Sequence, residues 1–313
     1  MRKTILFPTV AFVIMMASSA MLSAQSQYYY PQPVKWNDSL PQLPVVHAAQ
    51  QNREFPRTHT ISYDSEQASV DRSMQPSQYL QPLDGEWSRS GSGSAVELSH
   101  AYTMPFAWID RQQFVYIGSA GAPYEVWVNG SKAGYNTSFT SPAEFDITKL
   151  TNEGQNTLSI KFFSMPGLDA ISAGSNPAIT GEVYILSQPR VRIRDYTQLT
   201  TFEGSETTVQ LGVMLKSHLI NPKNVMMHFR LTGPDGSEVT SGRREADIRN
   251  KFEDTVRFLI NVPDARQWSH ESPHMYTLSL RLQHEGRYTE YISYKLGLRT
   301  IGVDAGQLPL NGR

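Results

Sequence analysis

The sequence contains no cysteine among its 313 residues. Disulfide bonds and a lipid anchor on an N-terminal cysteine are therefore excluded, so the folded state has to be stabilised by its apolar cores. An excess of charge of one sign is also missing, since 28 Lys and Arg residues face 29 Asp and Glu residues and leave a formal net charge of -1. Such a chain has no general attraction to nucleic acid or to an anionic membrane, and neither is an expected partner.

Long apolar runs are missing outside the N-terminus. Residues 5–16 are mainly apolar, follow the basic pair at residues 2–3, and are followed by small residues up to Ala24. This order is typical of a secretory signal peptide, and the run is shorter than the about 20 residues that a membrane-spanning helix needs. We therefore predict a signal peptide over residues 1–24 that is cleaved after Ala24, with Ala20 as a second candidate site. The mature protein is expected to be periplasmic or secreted, without membrane insertion.

Helical periodicity is weak along the rest of the chain, apart from a candidate turn over residues 142–150. Residues 25–50 contain four prolines, which disfavour a helix because proline lacks an amide donor and clashes with the preceding turn. We expect these residues to form an extended lead. Gly, Ser, Ala and Pro dominate residues 164–177, which predicts a loop.

Period-two alternation indicates strands on both sides of Pro189, which we take as a domain boundary. Before it, residues 124–128 alternate and are followed by Asn129-Gly130, a strong hairpin signal because a type I′ turn needs positive φ at both positions. After it, alternate residues are apolar in residues 209–215 and again in residues 276–282. About 100 residues of short strands with regular turns fit an immunoglobulin-like sandwich. The fold class is therefore predicted to be all-β, in two sandwiches.

Two short motifs suggest chemistry that their surroundings do not support. Residues 270–274 (HESPH) match the H-E-x-x-H zinc pattern, but Pro273 would break the helix that the pattern needs, and a strand follows. Residues 91–94 (GSGS) lack the spacing and the helix of a phosphate loop, so a flexible connection is predicted there. The basic pair at residues 243–244 is interpreted as a solvated hairpin edge. No catalytic residue, metal ligand or cofactor site is assigned.

Some aromatic side chains could stack on sugar rings, although a place in the core is the favoured interpretation for each. They are Trp87, Trp108, Trp127, Tyr135 and Trp268.

Several spaced motifs resemble the β-galactosidases of glycoside hydrolase family 2. Residues 52–57 (NREFPR) resemble the family's N-R-E-x-P-R segment, and residues 83–87 (LDGEW) resemble its L-N-G-x-W signature. Residues 124–130 (YEVWVNG) and 141–148 (SPAEFDIT) are similar to the W-V-N-G and S-x-x-E-F-D-I-T patterns of its sugar-binding domain. These motifs follow one another in the order found in the family.

The same resemblance continues into the second half of the chain. Residues 262–276 are similar to the family's V-x-x-P-x-L-W-S-x-E-x-P-x-L-Y pattern, which places the HESPH segment in a structural motif. Residues 297–299 (GLR) and 310–313 (LNGR) resemble its G-F-R and L-x-x-N-G-K segments. In the family, the last of these leads into a (β/α)₈ barrel.

The resemblance implies a jelly-roll, sugar-binding-like domain over residues 51–187 and an immunoglobulin-like sandwich over residues 188–300. Residues 301–313 would be a linker stub toward the barrel, which in the family holds both catalytic glutamates. A barrel takes about 250 residues, and the sequence has no room for one after this stub. The chain alone is therefore expected to be inactive.

The sequence also departs from the family's pattern at the loops that should complete a galactoside site. Residues 88–101 stand where the family has a much longer stretch, and residues 165–180 replace its acidic, Trp-bearing loop. Gly181 occupies the position of the Arg in the family's G-I-x-R-[DE]-V segment. Carbohydrate-binding residues are therefore left unassigned.

Three functional hypotheses follow from these observations. The first is a non-catalytic secreted module, derived from a family 2 β-galactosidase, that binds a galactoside-type glycan or another protein. The alternative is the N-terminal part of a split or truncated β-galactosidase that hydrolyses terminal β-galactosides with a separately encoded (β/α)₈ barrel as its partner. A third is a docking role at the cell surface, as sandwich domains often have.

Overall fold

The computed structural model describes residues 50–71, 77–92, 95–163, 177–249, 252–302 and 310–311. The strands are β1 (Gln50–Gln51), β2 (Leu80–Pro82), β3 (Ser88–Ser92), β4 (Ala95–Met104), β5 (Gln112–Ile117), β6 (Tyr124–Val128), β7 (Ser131–Asn136), β8 (Ala143–Asp146), β9 (Gly154–Phe162), β10 (Val183–Gln188), β11 (Val191–Glu203), β12 (Glu206–Ser217), β13 (Val225–Thr232), β14 (Glu238–Glu245), β15 (Glu253–Asn261), β16 (Tyr276–His284) and β17 (Arg287–Leu296). Helix α1 spans Glu66–Val70, and a 3-10 turn spans Phe106–Trp108. Within the described ranges no helix is long and apolar enough to cross a bilayer.

The first sandwich consists of a six-stranded and a four-stranded sheet. Their strand orders are β1-β7-β6-β9-β4-β3 and β2-β10-β5-β8, and every pair is antiparallel. Alternate residues of β6 and β9 face inward, so Val126, Val128 and Leu158 are fully buried against Ile117 and Ile185 of the opposite sheet. This is the pattern expected of strands with one buried face.

The second sandwich consists of a three-stranded sheet, β11-β12-β15, and a four-stranded sheet, β14-β13-β16-β17. Its core is separate from the first core and takes alternate residues from both sheets, among them Leu211, Val213, Leu231, Leu278 and Leu280. Every pair of strands is again antiparallel. The two sandwiches confirm the predicted all-β class, with a jelly-roll type of sandwich followed by an immunoglobulin-like one.

The predicted hairpin turn lies where the sequence puts it. Asn129 and Gly130 both have positive φ, at 50° and 79°, and join β6 to β7. A second turn of the same kind joins β16 to β17, where Glu285 and Gly286 have φ values of 50° and 80°. Such φ values at both central positions are those of the tight hairpin turns that match the twist of the flanking strands.

Two local expectations were wrong in part. Ala143–Asp146 form a strand of the four-stranded sheet, paired with β5, and the turn expected within residues 142–150 is confined to residues 148–150. Gly91 and Ser92 belong to β3 and pair with β4, so this half of the expected flexible connection is a strand, and residues 93–94 lie outside the described residues. A Cβ on Gly91 would lie 2.0 Å from the Ala95 carbonyl oxygen, which leaves room there for glycine alone.

Other predictions fall outside the described residues. The signal peptide (residues 1–24), the extended lead up to residue 49 and most of the loop predicted over residues 164–177 lie there. The basic pair at residues 243–244 lies on β14, the edge strand of its sheet, as expected. The domain limits at residues 187–188 and 300–301 remain predictions.

Candidate functional site

Residues 50–71, here called the strap, run from the first sandwich to the second. The strap begins as β1 on the edge of β7, and the amide of Glu54 donates to the carbonyl of Glu144 at 2.8 Å. At Asn52 the backbone has a φ of 53°, and the side-chain amide donates to the carbonyl of Ala133 at 2.9 Å. Asparagine tolerates this left-handed conformation better than most residues, which explains its place at the start of the NREFPR segment.

The strap ends on the second sandwich. Tyr63 and Tyr291 exchange backbone hydrogen bonds of 3.0 and 3.2 Å, which attaches the strap to β17. Ser65 then caps helix α1, because its hydroxyl accepts from the amide of Ala68 at 3.3 Å. The Ser69 hydroxyl lies 2.7 Å from that of Ser293 in β17. Since both ends of the strap are bonded to a sheet, it couples the two sandwiches.

Charged side chains fill the space where the strap crosses between the sandwiches, which we call the joint. Arg57 donates from Nε and Nη2 to the two carboxylate oxygens of Glu144 at 2.9 and 2.7 Å, with the side chains 4% and 10% exposed. Such two-fold contacts between a guanidinium and a carboxylate are among the strongest charged hydrogen bonds. Burial acts against the charge of Arg57, but the Glu144 carboxylate raises the pKa of the guanidinium above its ordinary value.

Glu54 is shared by three cations at the joint. One of its carboxylate oxygens lies 3.1 Å from Lys216, 3.3 Å from Arg192 and 3.6 Å from Arg194. Burial acts to raise the pKa of Glu54, yet the attraction of Arg192 and Lys216 lowers it. Glu54 is therefore ionised at neutral pH, and three positive charges meet one negative charge around it.

Arg192 lies at the centre of the joint. Its side chain is fully buried, its guanidinium carbon lies 4.5 Å from the centre of the Phe114 ring, and it donates to the side chain of Gln188. Burial, together with the nearby charge of Arg57, lowers the pKa of Arg192 to about 10. Burial is the larger of these causes, because it disfavours the charged form of the guanidinium.

Glu290 supplies a second buried carboxylate, on the side of the second sandwich. It accepts from the hydroxyl of Ser62 at 2.5 Å and from the amide of Ile193 at 2.6 Å, and it is fully buried. Burial raises the pKa of Glu290, although both hydrogen bonds act to lower it. The joint therefore holds carboxylates whose pKa values are shifted in opposite directions.

A cleft of about 800 Å³ opens beside the joint. Residues of the first sandwich and of the strap line one side, and the segments at the ends of β11 and β12 line the other. The charged side chains in the lining are Arg53, Glu54, Asp146, Lys149, Arg190 and Lys216. Ile220 and Phe252 add apolar surface and are 96% and 81% exposed.

His218 in this cleft is held neutral by its surroundings. Burial, followed by the charges of Arg192 and Lys216, lowers the pKa of His218 to about 4. Its Nε2 atom is buried and has no hydrogen-bond partner among the described residues. The imidazole is therefore uncharged at neutral pH and has an unused polar atom.

Residues 270–274 form a bend ahead of strand β16 and contain no helix, as expected from Pro273 and the strand that follows. Trp268 and Pro273 form an isolated antiparallel bridge, and the amide of His274 donates to the carbonyl of Ser272 at 2.8 Å. The two histidines therefore do not share a helical face. In the described part of the chain, no group of three or more His, Asp or Glu side chains is placed to hold a metal ion.

The core interpretation of the aromatic residues is right for two and wrong for others. Trp108 is 3% exposed in the first core, and Trp87 packs against that core. Trp127 instead lies on the outer face of β6, where Lys161 Nζ is 4.2 Å from its ring and its indole donates to Glu125 at 2.9 Å. In the structure, Trp127 lies on the same face as Glu125, between the two buried valines of the other face.

Two further aromatic residues also lie outside the two cores. Lys132 Nζ lies 5.0 Å from the ring of Tyr135, and the guanidinium of Arg299 lies 4.7 Å from the ring of Trp268. Both rings are half-buried. Their surroundings are charged, so the core interpretation is wrong for both rings.

Gly181 shows how far the first sandwich departs from a site with an arginine at this position. A Cβ here would lie 2.6 Å from the backbone nitrogen of Ser119, and the amide of Gly181 donates to the Ser119 carbonyl at 3.1 Å. The close approach of the two backbones leaves no space for a side chain. This geometry agrees with the departure from the family's pattern at this point.

The charges of the joint were missed from the sequence. Residues 191–194 (VRIR) have the pattern of a strand with one wet face, yet Arg192 and Arg194 are 0% and 5% exposed. Their carboxylate partner, Glu54, precedes Arg192 by 138 residues. The sequence signal that could have predicted these buried charges is the NREFPR segment at residues 52–57. If this segment crosses between two domains, its charged side chains become buried and need partners of opposite charge.

The sequence is similar to a known protein family and to several of its members. The family model described as glycosyl hydrolases family 2 matches residues 191–299. The β-galactosidase of Priestia megaterium (strain DSM 319 / IMG 1521) is 26% identical over 219 residues, which is 68% of this chain and 21% of that protein. The β-galactosidase of Photobacterium profundum is 26% identical over 222 residues, with 67% of this chain and 21% of that protein covered. The chain thus spans about a fifth of the length of these relatives.

Solved structures show the same fold. A putative β-galactosidase from Bacteroides fragilis superimposes with a TM-score of 0.63 at 17% identity, covering 85% of this chain and 43% of that one. A family 2 glycosyl hydrolase from Bacteroides cellulosilyticus DSM 14838 gives a TM-score of 0.63 at 16% identity, covering 71% and 31%. A β-glucuronidase from Ruminococcus gnavus gives 0.61 at 15% identity, covering 76% and 48%. The second sandwich therefore matches the model of glycosyl hydrolases family 2, and the chain as a whole resembles parts of proteins of that family.

Proposed function

We propose that this chain is an exported, non-catalytic module that binds carbohydrate. The observation that carries the proposal is the cleft of about 800 Å³ between the two sandwiches, whose lining combines charged and polar side chains with apolar surface. A volume of this size is within the range of about 300–1,000 Å³ that is usual for small-molecule sites. The strap and the buried charges of the joint hold both walls of the cleft, so a ligand would meet a formed site.

The carboxylates near the cleft do not have the properties that glycoside hydrolysis needs. A glycosidase uses two facing carboxyl groups, one of which is kept protonated as the general acid. Glu54 has a lowered pKa and is held by three cations. Asp146 accepts from the amide and the hydroxyl of Thr148 at 2.9 and 2.6 Å. Glu290 has a raised pKa but is fully buried, so it cannot reach a sugar.

Glycan binding and turnover by the purified mature chain test this proposal together. We expect retention of a subset of glycans on an array and no hydrolysis of chromogenic β-galactosides or β-glucuronides above a buffer blank. The absence of binding to every glycan would contradict carbohydrate binding, and measurable turnover would contradict a non-catalytic role.

A second candidate function is favoured by the arrangement of Asn311. Its amide donates to the Thr300 carbonyl at 2.9 Å, the Thr300 amide donates to its side-chain oxygen at 3.0 Å, and its side-chain nitrogen donates to the Trp268 carbonyl at 3.0 Å. These bonds attach Asn311 of the LNGR segment to the second sandwich. In the family this segment precedes the barrel, so the chain would act as the N-terminal part of a β-galactosidase.

Complementation distinguishes the second function from the first. A separately expressed family 2 barrel should bind this chain and gain β-galactosidase activity if the two form one enzyme. Asn311→Ala should then weaken the complex, since it removes the side-chain bonds to Thr300 and Trp268. If the barrel neither binds nor gains activity, the second function is abandoned.

Export is a separate part of the proposal and rests on the sequence of residues 1–24. The mature protein should begin at Gln25 and be found in the periplasm or the medium. N-terminal sequencing of the protein from fractionated cells measures both. A cytoplasmic protein that retains Met1 would show that export does not occur.

A further inference from the structure

The cleft beside the joint has more positive charge than its own carboxylates can match. Arg190 and Lys149 are exposed in the lining, and neither has an ion-pair partner among the described residues. Lys216 lies 3.1 Å from Glu54, but it shares that carboxylate with two buried arginines. The lining therefore includes cations that remain available to an anionic ligand.

The other groups that face the cleft do not cancel this charge. One carboxylate oxygen of Asp146 accepts from the amide and the hydroxyl of Thr148 at 2.9 and 2.6 Å, and Asp146 and Glu54 together are fewer than the four cationic side chains of the lining. His218 is neutral at physiological pH, because burial and neighbouring cations lower its pKa to about 4. Burial first, and then the charges of Arg57 and Arg194, lower the pKa of Arg192 to about 10, which still leaves its guanidinium cationic at neutral pH.

The remaining lining suits a ligand that also has hydroxyl groups and a flat apolar face. The side-chain oxygen of Gln112 accepts from Thr148 at 3.3 Å, which leaves its amide nitrogen for a ligand. The buried Nε2 of His218 has no hydrogen-bond partner within the described residues. Phe252 presents a ring that is 81% exposed. A few fixed polar groups beside an aromatic surface are the usual composition of a site for a small polar molecule.

We infer that the cleft binds an acidic saccharide, with a hexuronate carboxylate or a hexose sulfate at Arg190 and Lys149 and the sugar ring toward Phe252. A guanidinium can make two parallel hydrogen bonds to such a carboxylate or sulfate, which a neutral sugar cannot match. The inference rests on the proposed carbohydrate-binding function and narrows it to a ligand class and a place. It concerns the cleft between the sandwiches and not a barrel active site.

Titration calorimetry on the full mature chain tests the inference. The probes are digalacturonate, its neutral counterpart digalactose, and inorganic sulfate, each at low and at physiological salt. We expect digalacturonate to bind at least ten times more tightly than digalactose, with an affinity that falls as salt rises. Arg190→Gln should remove at least nine-tenths of the affinity for digalacturonate. Arg243→Gln, which changes an exposed arginine on the edge strand β14, is the matched control and should bind as the unchanged chain does.

Each other outcome has a definite meaning. Equal binding of digalacturonate and digalactose, or equal affinity in Arg190→Gln, would overturn the inference while leaving carbohydrate binding intact. Sulfate binding as tight as that of digalacturonate would overturn it as well, because the cleft would then be a simple anion site. Failure to bind these probes, with neutral glycans still retained on the array, would overturn the inference alone. Failure of the array as well would overturn the proposed function.

Discussion

The two sandwich cores consist of apolar side chains, whereas the joint between them consists of charged side chains. The cores consist of alternating apolar side chains, such as Val126 and Leu280, that are fully buried against a facing sheet. The joint instead buries Arg57, Arg192 and Glu290, with each charge held by a specific partner. Apolar burial has no direction and tolerates exchange of similar residues, whereas a buried charge is costly unless its partner is in place. The difference makes the joint the more specific and the more fragile of the two.

The largest expected effect comes from breaking the ion pair of the joint. Arg57→Ala leaves the Glu144 carboxylate buried without its partner, and should lower the free energy of unfolding by about 3–5 kcal/mol. Urea denaturation of the two chains measures the difference. Arg249→Ala is the control, because its pair with Asp247 is about 60% exposed on both sides and should be worth no more than about 1 kcal/mol. Equal effects of the two variants would mean that burial of the joint has been overestimated.

Truncation of a core side chain should lower the free energy of unfolding by about as much as Arg57→Ala or somewhat less. The cause is a lost apolar contact instead of an unpaired charge. Leu280→Ala removes a fully buried side chain of the second core, and the lost contacts and the cavity should cost about 2–5 kcal/mol. Hydrogen exchange should show faster opening of β13, β16 and β17, while the strands of the first core keep their protection. Uniform loss of protection across both sandwiches would show that the cores are not separate cooperative units.

A rise in pH should destabilise the joint through Glu290. Because burial raises its pKa above the ordinary value of 4.5, the folded state binds this proton more tightly than the unfolded state. The stability that Glu290 provides is then fully present below pH 4.5 and is lost as pH rises through the raised pKa. Glu290→Gln cannot titrate and should lack this loss. The midpoint of thermal unfolding, measured for both chains from pH 4.5 upward, tests this. Parallel plots of midpoint against pH would contradict the raised pKa of Glu290.

His218 should make the smallest of these contributions to stability, and its pH dependence should be opposite in sign to that of Glu290. Its pKa falls from 6.5 in an ordinary environment to about 4 in the fold, so the unfolded chain binds the proton more tightly. Stability should therefore be lost as pH falls from 6.5 toward 4. His218→Gln should flatten that part of the profile and leave the region above pH 7 unchanged. An unchanged slope between pH 6.5 and 4 in the variant would show that His218 is not held neutral.

The sequence predicted what depends on local pattern. The alternation in residues 209–215 and the pair Asn129-Gly130 were sufficient to place a strand and a hairpin, because period-two burial and positive φ are properties of the segment itself. The strand Ala143–Asp146 was missed, since its pairing with β5 and with Arg53 of the strap comes from distant segments. Family motifs then added the type of each sandwich, which alternation alone does not distinguish.

The candidate site was largely hidden from the sequence. The cleft depends on how two sandwiches and a strap meet, and Glu54 and Arg192 are far apart in the chain. Their charges looked like those of solvated residues, because a charged side chain on a strand is usually exposed. Buried pairing can be recognised only once both partners are in place. The same limit applies to His218, whose low pKa is caused by neighbours from other segments.

The strap and its buried charges hold the two sandwiches in one fixed arrangement, which forms the cleft. The absence of cysteine allows a spin label to be attached in each sandwich through Ala101→Cys and Arg243→Cys. Pulsed electron spin resonance then measures the distance between the labels. We predict a single narrow distance distribution that broadens when Arg57→Ala is added, under conditions where both sandwiches remain folded. A broad distribution in the chain with Arg57 intact would contradict the claim.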